Sequence, residues 1–449
     1  MATKTTRTRV ISQSKAVYVT PTDWELFLDG NDETTDRDMV SGHQLHRVDT
    51  FSFDIDLSAS RQDVREFGQL ARTSTTRLSE IDPTLSFGYY LGNGENELAL
   101  GFNNSSGSDT QMAADMLAEI ASQKERNVFV VTAKEGVDAF STEAIWDGNG
   151  EAGYHDTVGF GNCFVSSYSV NLSVGEIPRV DVEMQASNVV FWTGQQSGLF
   201  NPSIDLEAQR THSGLVELPP PDTGALGHHV LRPNDVSITF VDDQISDLTT
   251  GTAIGGVSFS EMPIQSCSID LPLSREVIDK LGAERAYAKP LDFPIDVTMS
   301  INSLVNQFTT GAIEYAINGR AGDKKTNIVV EVKDGANIRN KFVLSGAVLD
   351  SQSFSQGLDD NETVDLTFSA QIGGKGTTDQ GLFFTAATGH AGNINGISEV
   401  NLTGANGDNI VSGAAIPDQP ISVVGWTDAE LYDGSAGSDG EPDDERGNP

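Results

Sequence analysis

Seven carboxylates of this chain lie in runs that alternate apolar and acidic residues. Asp54 and Asp56 alternate with Phe53, Ile55 and Leu57, and Asp181 and Glu183 alternate with Val180, Val182 and Met184. Asp270, Asp296 and Asp365 have the same setting. A period of two sends the apolar set into a core and the carboxylates to the opposite face of a sheet. Such a face is either a solvated outer surface or the wall of a negatively charged channel. Other candidate chemistry is sparse. His43-x-x-His46 has metal-ligand spacing, but no Cys or Glu nearby completes a tetrahedral set. Asp147-Gly148-Asn149-Gly150-Glu151 opens like a calcium loop yet lacks the downstream Glu that closes one, so it reads as a turn. Gly-x-Ser-x-Gly, His-Glu-x-x-His and the P-loop pattern are absent. No catalytic residue, cofactor or metal is expected, and the chain reads as something other than an enzyme.

The elements that must position the carboxylates occur twice. Ile55-Asp56-Leu57-Ser58-Ala59-Ser60-Arg61 continues through Val64 and Phe67 to Gly68, and Ile269-Asp270-Leu271-Pro272-Leu273-Ser274-Arg275 continues through Ile278 and Leu281 to Gly282. These stretches lie 214 residues apart and share six of fourteen residues, where chance gives about one. Each reads as a strand followed by a helix, capped by Ser58/Ser60 or Ser274, with Val64, Phe67 and Ala71, or Val277, Ile278 and Leu281, on one face. Strands are expected at Leu85–Leu91 and Ile295–Ile301, and at Asn127–Thr132 and Asn327–Val330. Hairpins are expected from Phe164–Val174 with Val180–Phe191, and from Phe342–Phe354 with Thr363–Ile372. Helical segments are expected from about Asp109 to Lys124 and Ser303 to Ile317. Recurrence of the acidic strands in both units favours the channel wall, because a duplicated unit in a ring places both sets alike.

At 449 residues, with a net charge of −37, the chain does not carry the Lys/Arg stripes that grip phosphates. A surface past which nucleic acid slides fits that charge, as does an acidic, salt-adapted (marine or halophilic) proteome. The basic start, Met1 to Arg7, has no apolar segment after it, so folding in a cytoplasm is expected, and no apolar run is long enough to span a membrane. Cys163 and Cys267 occupy unrelated repeat positions and read as buried free thiols. The organisation read from the sequence is an N-terminal arm over 1–47, a first module over 48–192 and a Pro/Gly-rich linker over 193–256 with a strand at Val236–Val241. A second module follows over 257–374, then a polar extension over 375–427 and an acidic tail over 428–449.

Asp82-Pro83-Thr84-Leu85-Ser86-Phe87-Gly88-Tyr89-Tyr90-Leu91, with Gly92-Asn93-Gly94-Glu95-Asn96-Glu97 and Leu100-Gly101-Phe102, resembles the major tail tube proteins of tailed phages and related tailed archaeal viruses. The Ile-Asp-Leu-x-x-Ser-Arg segment and the late Ser/Val-rich hairpin share the resemblance. It implies a mainly β fold: two tandem β-sandwich modules, each flanked by a helix, contributing hairpins to a shared inner β-barrel. It further implies a homo-oligomeric structural protein of the virion tail, built in the host cytoplasm. Tube rings of this kind usually hold six folds, so a chain with two would form trimeric, pseudo-hexameric rings stacked into a channel for DNA delivery. The implied partners are further copies, the tape measure, the tail terminator and baseplate or distal tail proteins, with genomic DNA passing unbound and no membrane involved. A tail hub, terminator or receptor-binding protein of the same fold is the alternative. A secreted carbohydrate-active enzyme is a more distant one, since the carboxylates are spread over several strands instead of paired at a set separation.

Overall fold

The structure, a computed structural model, describes residues 15–22, 40–41, 43–56, 61–77, 82–92, 94–103, 110–114, 116–117, 125–133, 139, 156–192, 199–206, 210–211, 215–218, 236–242, 263–283, 285–304, 325–334, 337–355, 361–374 and 380–386. The turn read at 147–151, the acidic tail and most of the expected segment 303–317 lie outside them.

The fold is mainly β. In chain order its principal strands are β1 (Lys15–Pro21), β2 (Val48–Asp54), β3 (Thr84–Tyr90), β4 (Arg126–Thr132), β5 (Asp156–Ser173), β6 (Arg179–Gln185) and β7 (Asn188–Trp192). The later half supplies β8 (Val236–Asp242), β9 (Ile264–Pro272), β10 (Asp296–Leu304), β11 (Thr326–Asp334), β12 (Asn337–Ser355), β13 (Thr363–Gln371) and β14 (Gly381–Ala386). Eight of them run side by side, all antiparallel, in the order β12-β13-β10-β9-β5-β6-β3-β2. The long strands β5 and β12 each leave this central sheet part-way. The first part of β5 pairs with β4 and β7, and the first part of β12 pairs with β11 and β14.

The two halves repeat one another pair by pair. β1 meets β4 from Lys15↔Thr132 to Pro21↔Arg126, and β8 meets β11 from Val236↔Val332 to Asp242↔Thr326. The bulge at Val165/Ser167 on β5 recurs at Leu349/Ser351 on β12. Where β5 crosses between sheets, Asn162 has φ +50°, and β12 has Gly346 at φ +69° in the corresponding place. In both, an asparagine carbonyl on the neighbouring strand pins the bend. Asn127 Oδ1 accepts the Asn162 N–H at 3.3 Å and Asn327 Oδ1 accepts the Gly346 N–H at 2.9 Å. A buried amide oxygen that satisfies a backbone donor at a kink removes a cost of about 1–3 kcal/mol. These pairings extend the similarity beyond the sequence boundaries. β1 lies in the span read as an arm, β8 in the span read as linker and β14 in the polar extension. The linker span also holds buried Asn201, Ser203, Ile204, Val216 and Leu218, so part of it packs.

The expected strand–helix units do not form helices. Arg61–Val64 pairs with Ser74–Arg77 as a two-stranded hairpin, the first arm, with register Arg61↔Arg77 and Val64↔Ser74. The second arm has bridges Arg275↔Leu291 and Ile278↔Ala288, the same positions 214 residues later. Gly68 and Gly282, with φ +96° and +88°, turn the two tips, a conformation that costs glycine little. The three-to-four spacing of Val64, Phe67 and Ala71 signals a helix only if that face has a core to bury against. Here Phe67, Leu70 and Leu281 are fully exposed. The segment expected as a helix from Asp109 opens with a two-residue strand, Thr110–Gln111, on β14, and 118–124 lie outside the described residues. Among the described residues the one α-helix is α1 (Glu95–Leu100), a short turn that no periodicity announced.

Candidate functional site

Alternation along the central sheet divides it into two faces. Val180, Val182, Met184, Ile269, Leu271, Val297, Met299, Ile301, Val364, Leu366 and Phe368 are buried on one, against the core. Asp54, Asp181, Glu183, Asp270, Asp296 and Asp365 all point from the other, among Thr50, Ser86, Ser169, Asn171, Ser268, Thr298, Ser300 and Asn302. Asp56 lies exposed just beyond the end of β2. The sheet therefore brings the predicted carboxylates onto one polar surface, strung across strands from both halves.

Hydrogen bonds fix several of them. Ser169 Oγ donates to Asp270 Oδ1 at 2.6 Å, and Asn302 Nδ2 donates to Asp365 Oδ1 at 2.6 Å. Asn171 Nδ2 reaches Asp181 Oδ2 at 3.3 Å. Among the described residues the cation of this cluster is Arg179, which bridges Asp181 at 3.0 Å and Asp49 at 2.8 Å and donates to Thr50. Its guanidinium fills the space above Gly88, where a Cβ would come within 2.4 Å of Arg179 Nη2. Two carboxylates neutralise it, so the face stays negative. Asp54 and Glu183 line a shallow concavity of this face together with Ser52, Thr84 and Ser86.

The two copies of the acidic strand correspond differently from the sequence alignment. Asp54 pairs with Thr84 and Asp270 with Thr298, and Thr84 and Thr298 are themselves equivalent, 214 residues apart. Asp54, not Asp56, thus occupies the place of Asp270, and Phe53 that of Ile269. The slip of two residues keeps every side chain on its face, so Asp54 shares the polar face with the five other strand carboxylates, while Asp56 lies beyond the strand.

Sequence reasoning missed the sheet's ends. β2 and the later part of β12 form its two edges, and among the described residues each pairs with one neighbour in the central sheet, β3 and β13 respectively. Phe53 on β2 is 41% exposed and Phe354 on β12 is 57% exposed. Alternation places Phe53 on the core face, which is correct for its face but blind to its position on an edge. The signal available was the repeat itself, since Val170 and Ile269, the equivalents of Phe354 and Phe53, are fully buried at the centre of the sheet.

His43 is buried, and its ring meets that of His46 edge-on at 5.6 Å. Among the described residues no group of three His, Cys, Asp or Glu side chains could hold a metal ion. Cys163 and Cys267 are buried free thiols, and burial raises both, Cys267 to about 12. Glu97 on α1 is buried and accepts hydrogen bonds from Tyr89 Oη at 2.8 Å and Tyr168 Oη at 3.1 Å. Burial pushes its carboxyl up, while the two phenols oppose that rise. The trio ties α1 to the core. No helix among the described residues is long and apolar enough to cross a membrane.

No protein family and no curated protein matches this sequence. Among solved structures the chain is similar to a component of the anti-feeding prophage baseplate, solved by cryo-electron microscopy with sixfold symmetry imposed. The two share 10% identity over 32% of this chain and 94% of that one, with a TM-score of 0.20.

Proposed function

We propose that this chain is a structural tube subunit of a viral tail, assembling as rings of three copies that stack into a channel for DNA. The observation that carries this reading is the arrangement of the central sheet. Its two halves lie side by side as near-equivalents, one face is covered by core, the other is polar and acidic, and among the described residues both ends are open. An open edge of unpaired N–H and C=O groups recruits another strand unless it is blocked, and closing sheets into a barrel removes edges altogether. Eight strands from each of three copies would make a barrel of twenty-four. At ~4.8 Å between strands and a tilt near 40°, that barrel measures about 45–50 Å across its backbone. The uncovered face then lines the channel, and Asp54, Asp181, Glu183, Asp270, Asp296 and Asp365 repel DNA phosphates where a binding protein would present Lys and Arg. Stacking of identical rings by unlike contacts gives an open-ended tube.

The experiment is negative-stain electron microscopy of the purified chain across a concentration series. Tubes or rings with a stain-filled centre are the expected result. Closed rings that never stack would move the assignment to a hub or terminator of the tail, and a compact particle without a channel at every concentration would remove the reading.

A further inference from the structure

The chain contains one complete seam between its halves, and the two strands at its open ends are the second copies of the strands that form it. We infer that β2 of one copy pairs with the later part of β12 of another copy in the register by which β9 pairs with β5 inside the chain. This inference rests on the ring reading above and specifies the contact that would close the ring.

The internal seam runs antiparallel from Ser167↔Pro272 through Ser169↔Asp270 and Val170↔Ile269 to Ser173↔Ser266. Residues of β5 map onto β12 at a spacing of 184, as shown by the shared bulge and by the pairing of both strands with their next neighbours, β6 and β13. Residues of β9 map onto β2 at a spacing of 216, as shown by Asp270↔Thr298 and Asp54↔Thr84. Transferring both spacings gives Ser351↔Asp56, Gln352↔Ile55, Ser353↔Asp54, Phe354↔Phe53 and Ser355↔Ser52 between copies.

The chemistry at these positions agrees with the transfer, although nothing in the mapping used residue identity. Ser353 and Asp54 are the same residue types as Ser169 and Asp270, whose side chains share the 2.6 Å hydrogen bond on the polar face. In the single chain the Asp54 carboxylate accepts the N–H of the next residue, Ile55, at 2.9 Å. On the other face, Phe354 comes opposite Phe53. These two aromatic rings, half-exposed on separate edges of one chain, take the places of Val170 and Ile269, which are sealed in the internal seam. An exposed apolar side chain at each of two distant edges, each matching the other's counterpart in a buried pair, points to a second copy of this chain as the occupant. Cα atoms directly opposite in an antiparallel pair lie about 4.5–5.5 Å apart, a distance a disulfide spans.

The test uses the full chain carrying Asp54→Cys and Ser353→Cys together, with Asp54→Cys and Gln352→Cys as the control one residue out of register and on the opposite face. The native Cys163 and Cys267 are buried and add little background. Mild oxidation is expected to convert most of the first variant into a covalent trimer on denaturing gels and to leave the control monomeric. Cross-linking in the control but not in the first variant, or rings in the microscope without a bond between 54 and 353, would overturn the register while leaving the ring reading in place. A chain that stays monomeric in the ultracentrifuge, unmodified as well as mutated, would overturn both. Hydrogen exchange on the unmodified protein provides the second readout should the double variant fold poorly. Amides of 51–55 and 351–355 are expected to slow at least tenfold on assembly, and slowing elsewhere without slowing there contradicts the seam. Phe354→Asp is expected to raise the concentration needed for assembly at least tenfold without shifting the melting of the monomer.

Discussion

The two arms have the same backbone and opposite fates. Their cross-strand registers coincide at a spacing of 214 residues, and so do their tip hydrogen bonds, Gln69 N–H to Glu66 O and Ala283 N–H to Lys280 O. The base of the second arm is seated on the first half of the chain. The Arg275 guanidinium lies 4.3 Å from the centre of the Phe164 ring, the Leu273 N–H donates to Ser166 O, and the buried Lys289 ammonium reaches Asp82 at 3.1 Å. The first arm is exposed along its described length, and its ion pair, Arg72 with Asp63, joins two of its own residues. The hairpin is thus encoded locally, while its seat is supplied by the neighbouring half. The first arm follows β2, the strand on the open edge, so the half that would seat it belongs to another copy in the proposed ring.

Removing the seat should have the largest effect. Phe164→Ala deletes a buried ring under Arg275 and is expected to cost about 3–5 kcal/mol of stability in urea unfolding. The equivalent change under the first arm's position, Val348→Ala, should cost about 1 kcal/mol or less in the monomer. A loss of about 1 kcal/mol or less at Phe164→Ala would mean that this ring and the arm seated on it contribute little.

A pH effect of intermediate size should follow the same asymmetry. Glu125 lies beside the seat, accepting a hydrogen bond from Asn162 Nδ2, and burial raises its carboxyl to about 7 while Arg275 and Lys289 pull it down. Its folded value is above the ordinary 4.5. The folded chain therefore holds a proton that the unfolded chain releases between about 4.5 and 7, and the stability this contributes is full at the acid end and lost as pH rises through 7. Glu125→Gln should flatten the urea midpoint over that window, and Arg275→Ala should move the transition to higher pH. The corresponding residue of the second half is Lys325, which carries no carboxyl. The smallest effect concerns the tips. Gly68→Ala and Gly282→Ala each force an alanine to positive φ in open space, at about 1 kcal/mol apiece in thermal melts. A clearly larger loss at Gly282 would show that seating reaches the tip.

Much of this was legible in the sequence because period-two alternation survives small errors of alignment. The face of Asp181, Glu183, Asp270, Asp296 and Asp365 followed from their apolar neighbours, and Asp54 kept its face although the repeat had been aligned two residues away. The Asn127/Asn327 match marked two strands whose asparagines pin equivalent bends. The arms were misread because Val64, Phe67 and Ala71 satisfy a helical spacing that only a buried partner makes meaningful. β1, β8 and β14 were placed outside the modules because each joins its sheet through pairing with strands far away in sequence, which local composition does not encode. The exposure of Phe53 and Phe354 is a property of where the chain's sheet stops, visible only once strand order is known.

In the proposed ring of three, the two halves of each chain hold equivalent places. Native mass spectrometry of rings released from assembled tubes tests it most directly. A mass of three chains of 48.0 kDa each is the predicted result, and a ring of six chains, or a stable species of one, would contradict it.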